Sequence, residues 1–282
     1  MGAAVRRAVA LSCLPATRLA SRLRPGIRIL MYHRVRPSAG HDQLSVSPER
    51  FERQIAHLAG TRKVVSLADA VAALTAASVQ PESVAVTFDD GYLDNLVYAL
   101  PVLRRHGIPA TIFVTTEFCD QTRSHPRYPA QSERLHLDWR EVRALAREPG
   151  ITIGSHTISH PFLQRLGDDE ARHEIADSRS RIQDELGIAT DFFCYPSGDV
   201  TARESRLARE AGYRAAVTVA PGANRPGSDL WALRRTEITD RDEPRELSMK
   251  LAGAFDPIHA VLHWKRRRAF AAAARDPNMQ RG

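Results

Sequence analysis

Two acidic residues stand side by side at Asp89 and Asp90, closed by Gly91, and a histidine pair follows in His156-Thr157-Ile158-Ser159-His160. Hydrolytic sites for divalent metals use imidazole nitrogen and carboxylate oxygen as ligands and leave one position for water. Asp90, His156 and His160 suffice for three ligands, and Asp89 is then left to take a proton from that water. The two blocks are distant in the chain, so the fold must bring them together. An Asp-Asp pair alone is more often turn chemistry or a helix cap. Clustering with the histidines is what favours a metal centre.

The elements that would position these groups are short. Apolar, β-branched runs predict strands at Ile27–Tyr32, Lys63–Ser66, Ser83–Phe88, Ala110–Thr115, Ile151–Ser155, Asp191–Tyr195, Arg214–Val219 and Leu233–Ile238. Helices are predicted at Pro48–Ala59, Leu67–Ala77, Leu93–His106, Asp138–Arg147, Asp168–Leu186 and Ala202–Ala211. Phe51, Ile55 and Leu58 share one helical face, and Asp138 with Glu141 forms a capping-box-like start. Such alternation predicts an α/β fold with a mainly parallel sheet, open or closed into a barrel. His33, Asp89-Asp90, His156 and Tyr195-Pro196 each fall at or just past the C-terminal end of a predicted strand. Parallel α/β folds place their chemistry at that edge. The aperiodic, polar stretch from Cys119 to Leu137 has the character of a substrate lid or a surface excursion.

Bland readings cover several other residues. Asp94 reads as a first-turn helix acid rather than a ligand, and Trp139 as core rather than a stacking platform for a ligand. His125, His136, His173, His259 and His263 show no partner spacing and stay unassigned.

At 282 residues the chain can bury one large core or two small ones. Its three cysteines fit neither a disulfide framework nor a cysteine-rich zinc site and are read as reduced. The net charge of +7 sits at the ends. Residues 1–41 hold eight arginines and no acid, and residues 256–282 hold six basic side chains against two acids, so the middle is net acidic. The arginines lack interleaved aromatics and any reader motif, which argues against a nucleic-acid partner. No stretch is apolar for the ~20 residues a membrane span needs, and Ala8–Leu14 is a poor signal-peptide core. A cytoplasmic or membrane-peripheral location is therefore favoured, with the basic tails resting on anionic lipid, while the cell envelope stays open.

Around Thr87-Phe88-Asp89-Asp90-Gly91 and His156-Thr157-Ile158-Ser159-His160 the chain resembles the polysaccharide deacetylases, the NodB-homology group in carbohydrate esterase family 4. The resemblance runs from about residue 27 to 250, leaving basic tails at 1–26 and 251–282. It implies a single domain folded as an irregular barrel of the (β/α)7 type. It also implies Asp89 as general base and Asp90, His156 and His160 as ligands of a divalent metal, usually zinc. Many members continue with Phe-Arg-Pro-Pro-Tyr-Gly; here the stretch is Phe193-Cys194-Tyr195-Pro196-Ser197-Gly198, with Cys194 at the arginine position. In this the chain is similar to the poly-N-acetylglucosamine deacetylase subgroup. That similarity implies Arg235 as the replacement counter-charge for the base. The opening Leu30-Met31-Tyr32-His33 also resembles that subgroup and implies His33 as the acid that protonates the leaving amine.

The expected reaction is metal-dependent removal of N-acetyl groups from an N-acetylglucosamine-type polysaccharide, oligosaccharide or glycolipid, releasing acetate. A backbone N–H near Tyr195 and Pro196 is expected to help hold the oxyanion. Two alternatives compete with this. The same centre suits an O-acetyl ester or another amide, and a glycan-binding protein could keep the fold without the chemistry.

Overall fold

A computed structural model describes residues 3–37, 42–128, 134–198 and 200–273. In chain order the elements are α1 (Ala3–Leu23), β1 (Arg28–Tyr32), β2 (Arg34–Val35), β3 (Ser45–Val46), α2 (Pro48–Thr61), β4 (Lys63–Val64), α3 (Leu67–Thr75), β5 (Ser83–Phe88), α4 (Leu100–His106) and β6 (Ala110–Val114). There follow α5 (Thr116–Cys119), α6 (Trp139–Ala146), β7 (Ile151–Ser155), α7 (Asp168–Leu186), β8 (Phe192–Cys194), α8 (Ala202–Glu210), β9 (Ala215–Val217), β10 (Arg235–Glu237), α9 (Pro244–Leu251) and α10 (Asp256–Ala273).

Seven strands run parallel in the order β10-β1-β5-β6-β7-β8-β9. The eighth, β4, pairs with the first two residues of β5, while β6 pairs with the last three. The ring all but closes through Leu233, just before β10. Its N–H donates to Ala216 O at 2.9 Å, and its carbonyl accepts from Thr218 N–H at 2.8 Å. The result is the expected irregular barrel of seven parallel strands wrapped in helices. All eight predicted strands are present.

Strand alternation sorts the side chains into two layers. Val84, Val86 and Phe88 of β5 pack outward with Phe51, Ile55 and Leu58 of α2. Ala85 packs with Ile29, Phe113 and Phe192 in a second cluster that includes α3. Asp138 and Glu141 complete the expected capping box of α6, and Trp139 joins the core with its indole N–H on Asp120 at 2.6 Å.

Both basic ends are helical where described. Ala10 of α1 is buried with Met249, Phe255 and Ile258. Arg28 of β1 reaches the carboxylate of Asp256 at 3.1 and 2.7 Å, which seats the start of α10 against the barrel. No described helix is long and apolar enough to cross a membrane. The three cysteines are unpaired.

Gly154 in β7, two residues before His156, marks a close approach. A Cβ there would stand 2.5 and 2.6 Å from ring carbons of Phe113 and 3.1 Å from Phe192 O. Gly154→Ala is therefore expected to lower stability by about 1–3 kcal/mol through overpacking, read as a fall in the urea midpoint at unchanged m-value.

Candidate active site

Asp89 and Asp90 leave the end of β5 in opposite directions. Asp89 continues the inward face of Ala85 and Thr87 and is buried. There it meets Arg235, whose Nη1 and Nη2 donate to its two oxygens at 2.6 and 2.7 Å. The guanidinium is itself fully enclosed, donating also to Thr218 O at 2.8 Å, Thr87 Oγ1 at 3.2 Å and Cys194 Sγ at 3.2 Å. Cys194 is small enough to leave space for this side chain. Burial alone would push the Asp89 carboxyl up. The charge and hydrogen bonds of Arg235 outweigh it and hold the carboxyl below its usual range.

Asp90 turns the other way because its backbone is left-handed, with φ of 68°, followed by Gly91 at 59°. A side chain in that region costs on the order of 1–3 kcal/mol and persists only where its surroundings enforce it. The second motif repeats the device, with Thr157 at φ 70° and His160 at 61°. Its turn is pinned by Glu174 of α7, which accepts from the N–H groups of Ile158 and Ser159 at 2.9 and 3.0 Å. Thr157 Oγ1 accepts from His160 N–H at 3.0 Å.

The convergence required by the sequence is present. Asp90 Oδ1 lies 3.3 Å from His156 Nε2 and 3.4 Å from His160 Nε2. Zinc bonds of about 2.0–2.1 Å at tetrahedral angles demand ligand–ligand edges of about 3.3 Å, and the two carboxylate–imidazole edges match that length. His156 Nδ1 is 2.7 Å from Cys194 O. A carbonyl only accepts, so Nδ1 carries a proton, and in the neutral ring Nε2 keeps the lone pair that an ion beside Asp90 would take. Two groups here have ligand atoms within 4.8 Å of one another: Asp90 with His125 and His160, and Asp89 with His156 and Cys194. A cation in the latter would compete with the guanidinium already gripping Asp89, so the Asp90 set is the better host.

His33, Arg235 and Tyr195 border the same cavity of about 760 Å³, whereas Pro196 is not part of its wall. His33 Nε2 is 3.9 Å from Asp89 Oδ2, and its carbonyl is held by Asn95 Nδ2 at 2.8 Å. Asp94 stands at the start of the helical segment, as expected of a first-turn acid, but its side chain caps no N–H there. It pairs with Arg34 at 2.7 Å and takes the Val35 N–H at 3.1 Å, tethering the segment after His33. Tyr195 and the Ser197-Gly198 turn line the cavity. Tyr195 N–H donates to Val217 O at 3.3 Å and its hydroxyl to Trp231 O at 2.8 Å. Pro196 has no N–H, so neither residue offers a free main-chain donor.

Two histidines without a sequence assignment belong to the site. His136 is buried, with Nδ1 3.0 Å from Asp90 O, and its Nε2 accepts from His125 N–H at 3.1 Å. His125 Nε2 lies 3.9 Å from Asp90 Oδ2. The only signal in the sequence is their place in the aperiodic stretch from Cys119 to Leu137. Residues 129–133 of that stretch lie outside the described residues.

A family model for polysaccharide deacetylases matches residues 76–216. YxkH of Bacillus subtilis strain 168, which carries the polysaccharide deacetylase name, is 31% identical over 213 residues, covering 75% of this chain and 71% of its own length. The peptidoglycan-N-acetylglucosamine deacetylase of Bacillus cereus is 30% identical over 131 residues, which is 46% of this chain and 42% of that protein. Among solved structures, the Streptococcus pyogenes deacetylase PplD in complex with acetate superposes with a TM-score of 0.72 at 23% identity, covering 81% of this chain and 99% of that one. IcaB from Ammonifex degensii gives 0.67 at 24% identity, over 80% and 97%. With both motifs meeting at the rim of the barrel, the chain belongs to the polysaccharide deacetylase family.

Proposed function

We propose that this enzyme hydrolyses the N-acetyl group of an N-acetylglucosamine-containing glycan, with a divalent metal held by Asp90, His156 and His160. The observation that carries this reading is the division of labour between adjacent carboxylates: Asp89 is clamped by Arg235 while Asp90 faces two imidazoles. The relative named for peptidoglycan N-acetylglucosamine and the neighbour crystallised with acetate support the choice of substrate and product.

A bound ion supplies Lewis acidity and lowers the pKa of a coordinated water toward neutrality. Asp89, ionised and unable to swing away from its guanidinium, receives the proton of the attacking water. His33 lies beside Asp89 on the cavity wall, placed to donate a proton to the departing nitrogen of the sugar. Tyr195 N–H is engaged and Pro196 has none, so the oxyanion donor in this reading is the next main-chain N–H along the chain, that of Ser197. The products are acetate and a free amine.

Purified enzyme is expected to release acetate from N-acetylglucosamine oligomers and to lose activity on chelation. Asp89→Asn should reduce kcat by about 10²-fold or more. Full activity in that variant would remove the base from the mechanism, and release from acetylated xylan alone would favour an ester substrate.

The grip of Arg235 also sets the pH profile. Arg235→Lys keeps one positive charge but loses the two-pronged contact, so the Asp89 carboxyl rises relative to the parent. The acid limb of kcat/KM should therefore move to higher pH while the alkaline limb stays. An unmoved acid limb would show that Asp89 does not titrate in the rate-limiting step.

Cys194→Arg would place a second guanidinium against Arg235 in a buried space. It should cost about 3 kcal/mol or more of folding stability. Because Cys194 Sγ is within 4.8 Å of an Asp89 oxygen, the double variant Cys194→Arg with Arg235→Met should recover part of that loss in thermal unfolding.

A further inference from the structure

The loop that follows α5 is fastened to the Asp90-Gly91 turn at several points. Leu93 N–H donates to Leu135 O and Leu137 N–H to Gly91 O, each at 2.9 Å. His136 stacks between Tyr92 and Phe118, with ring centroids 4.9 and 4.2 Å away. Its tautomer is set by its partners. Nε2 accepts the His125 N–H at 3.1 Å, so Nδ1 carries the proton given to Asp90 O at 3.0 Å. Burial drives its pKa down to about 4, so the ring is a neutral strut across most of the pH range.

His125 is set in the same way. Its Nδ1 accepts the N–H of Arg127 at 3.1 Å, so in the neutral ring Nε2 must carry the hydrogen. That N–H faces Asp90 Oδ2 across 3.9 Å. A nitrogen bearing a proton cannot bind a metal, which separates His125 from His156, whose Nδ1 faces Cys194 O, although both rings crowd one carboxylate. On the same carboxylate bears Tyr92, fully buried, with a hydroxyl that makes no geometrically good hydrogen bond among the described residues.

We infer that His125 Nε2–H and the Tyr92 hydroxyl are the outer-sphere donors to the metal-binding carboxylate of Asp90, a loop-borne clamp that leaves Oδ1 as the oxygen offered to the ion. The inference rests on the metal reading above. Hydrogen bonds of this kind are often long before a site is loaded and shorten when it is. His125 is thus a positioning residue: it acts on the ion through Asp90.

The test is metal affinity, measured with the full chain by competition against a chromophoric chelator, with cobalt(II) absorption as the second readout. Loss of a carboxylate's outer-sphere partner typically costs about 10–100-fold in affinity. His125→Ala is expected to weaken zinc binding in that range while the position and intensity of the cobalt bands are kept. Tyr92→Phe, which removes one oxygen and keeps the packing, should act in the same direction by a smaller factor. Unchanged affinity in both variants overturns the clamp. A cobalt spectrum altered in His125→Ala overturns it as well, since His125 would then be a ligand. Parent protein that binds neither zinc nor cobalt would sink the metal reading, and the clamp with it, and is told apart by the parent's own titration.

Discussion

Two buried carboxylates on consecutive residues repel each other unless each has its own compensation, and the site is organised around that constraint. The left-handed backbone at Asp90 sends its side chain away from Asp89. Asp89 then takes a fully enclosed guanidinium, and Asp90 takes a ring of imidazoles. Removing either partner would leave a buried charge without its compensation. The barrel serves this division. β5 sits between β1 and β6, so its end receives His33 from the strand on one side, while β7 brings the histidine motif from two strands away on the other.

The replacement at Cys194 follows from the same geometry. An arginine at the end of β8 and an arginine in β10 would approach the same carboxylate from two sides. Only one guanidinium fits beside Asp89, and here it comes from β10 with the cysteine thiol against it. The choice of strand alters the counter-charge's origin and leaves its chemistry alone.

Much of this was readable from residue order because strand ends are local signals. β-branched runs marked all eight strands of the barrel sheet, and the reactive groups stood just beyond them. α7 was bounded correctly by Asp168 and by Gly187 in the left-handed cap. The helices α1, α9 and α10 were not expected. Their apolar stripes are short, and their burial depends on one another, through Ala10, Met249 and Phe255. His125 and His136 escaped for a related reason. No spacing along the chain encodes their roles, which arise only when the loop folds back on Asp90 and backbone N–H groups dictate where each ring keeps its proton. The donor status of Tyr195 was likewise hidden, since its N–H is used by pairing with β9, a strand that lies far along the chain.

The most direct test of the account is anomalous diffraction from crystals of the full chain loaded with zinc. The arrangement predicts a single strong peak bonded at about 2.0–2.2 Å to Asp90, His156 and His160, with Asp89 still held by both arms of Arg235. A peak seated among Asp89, His156 and Cys194, or no peak between the two motifs, would contradict it.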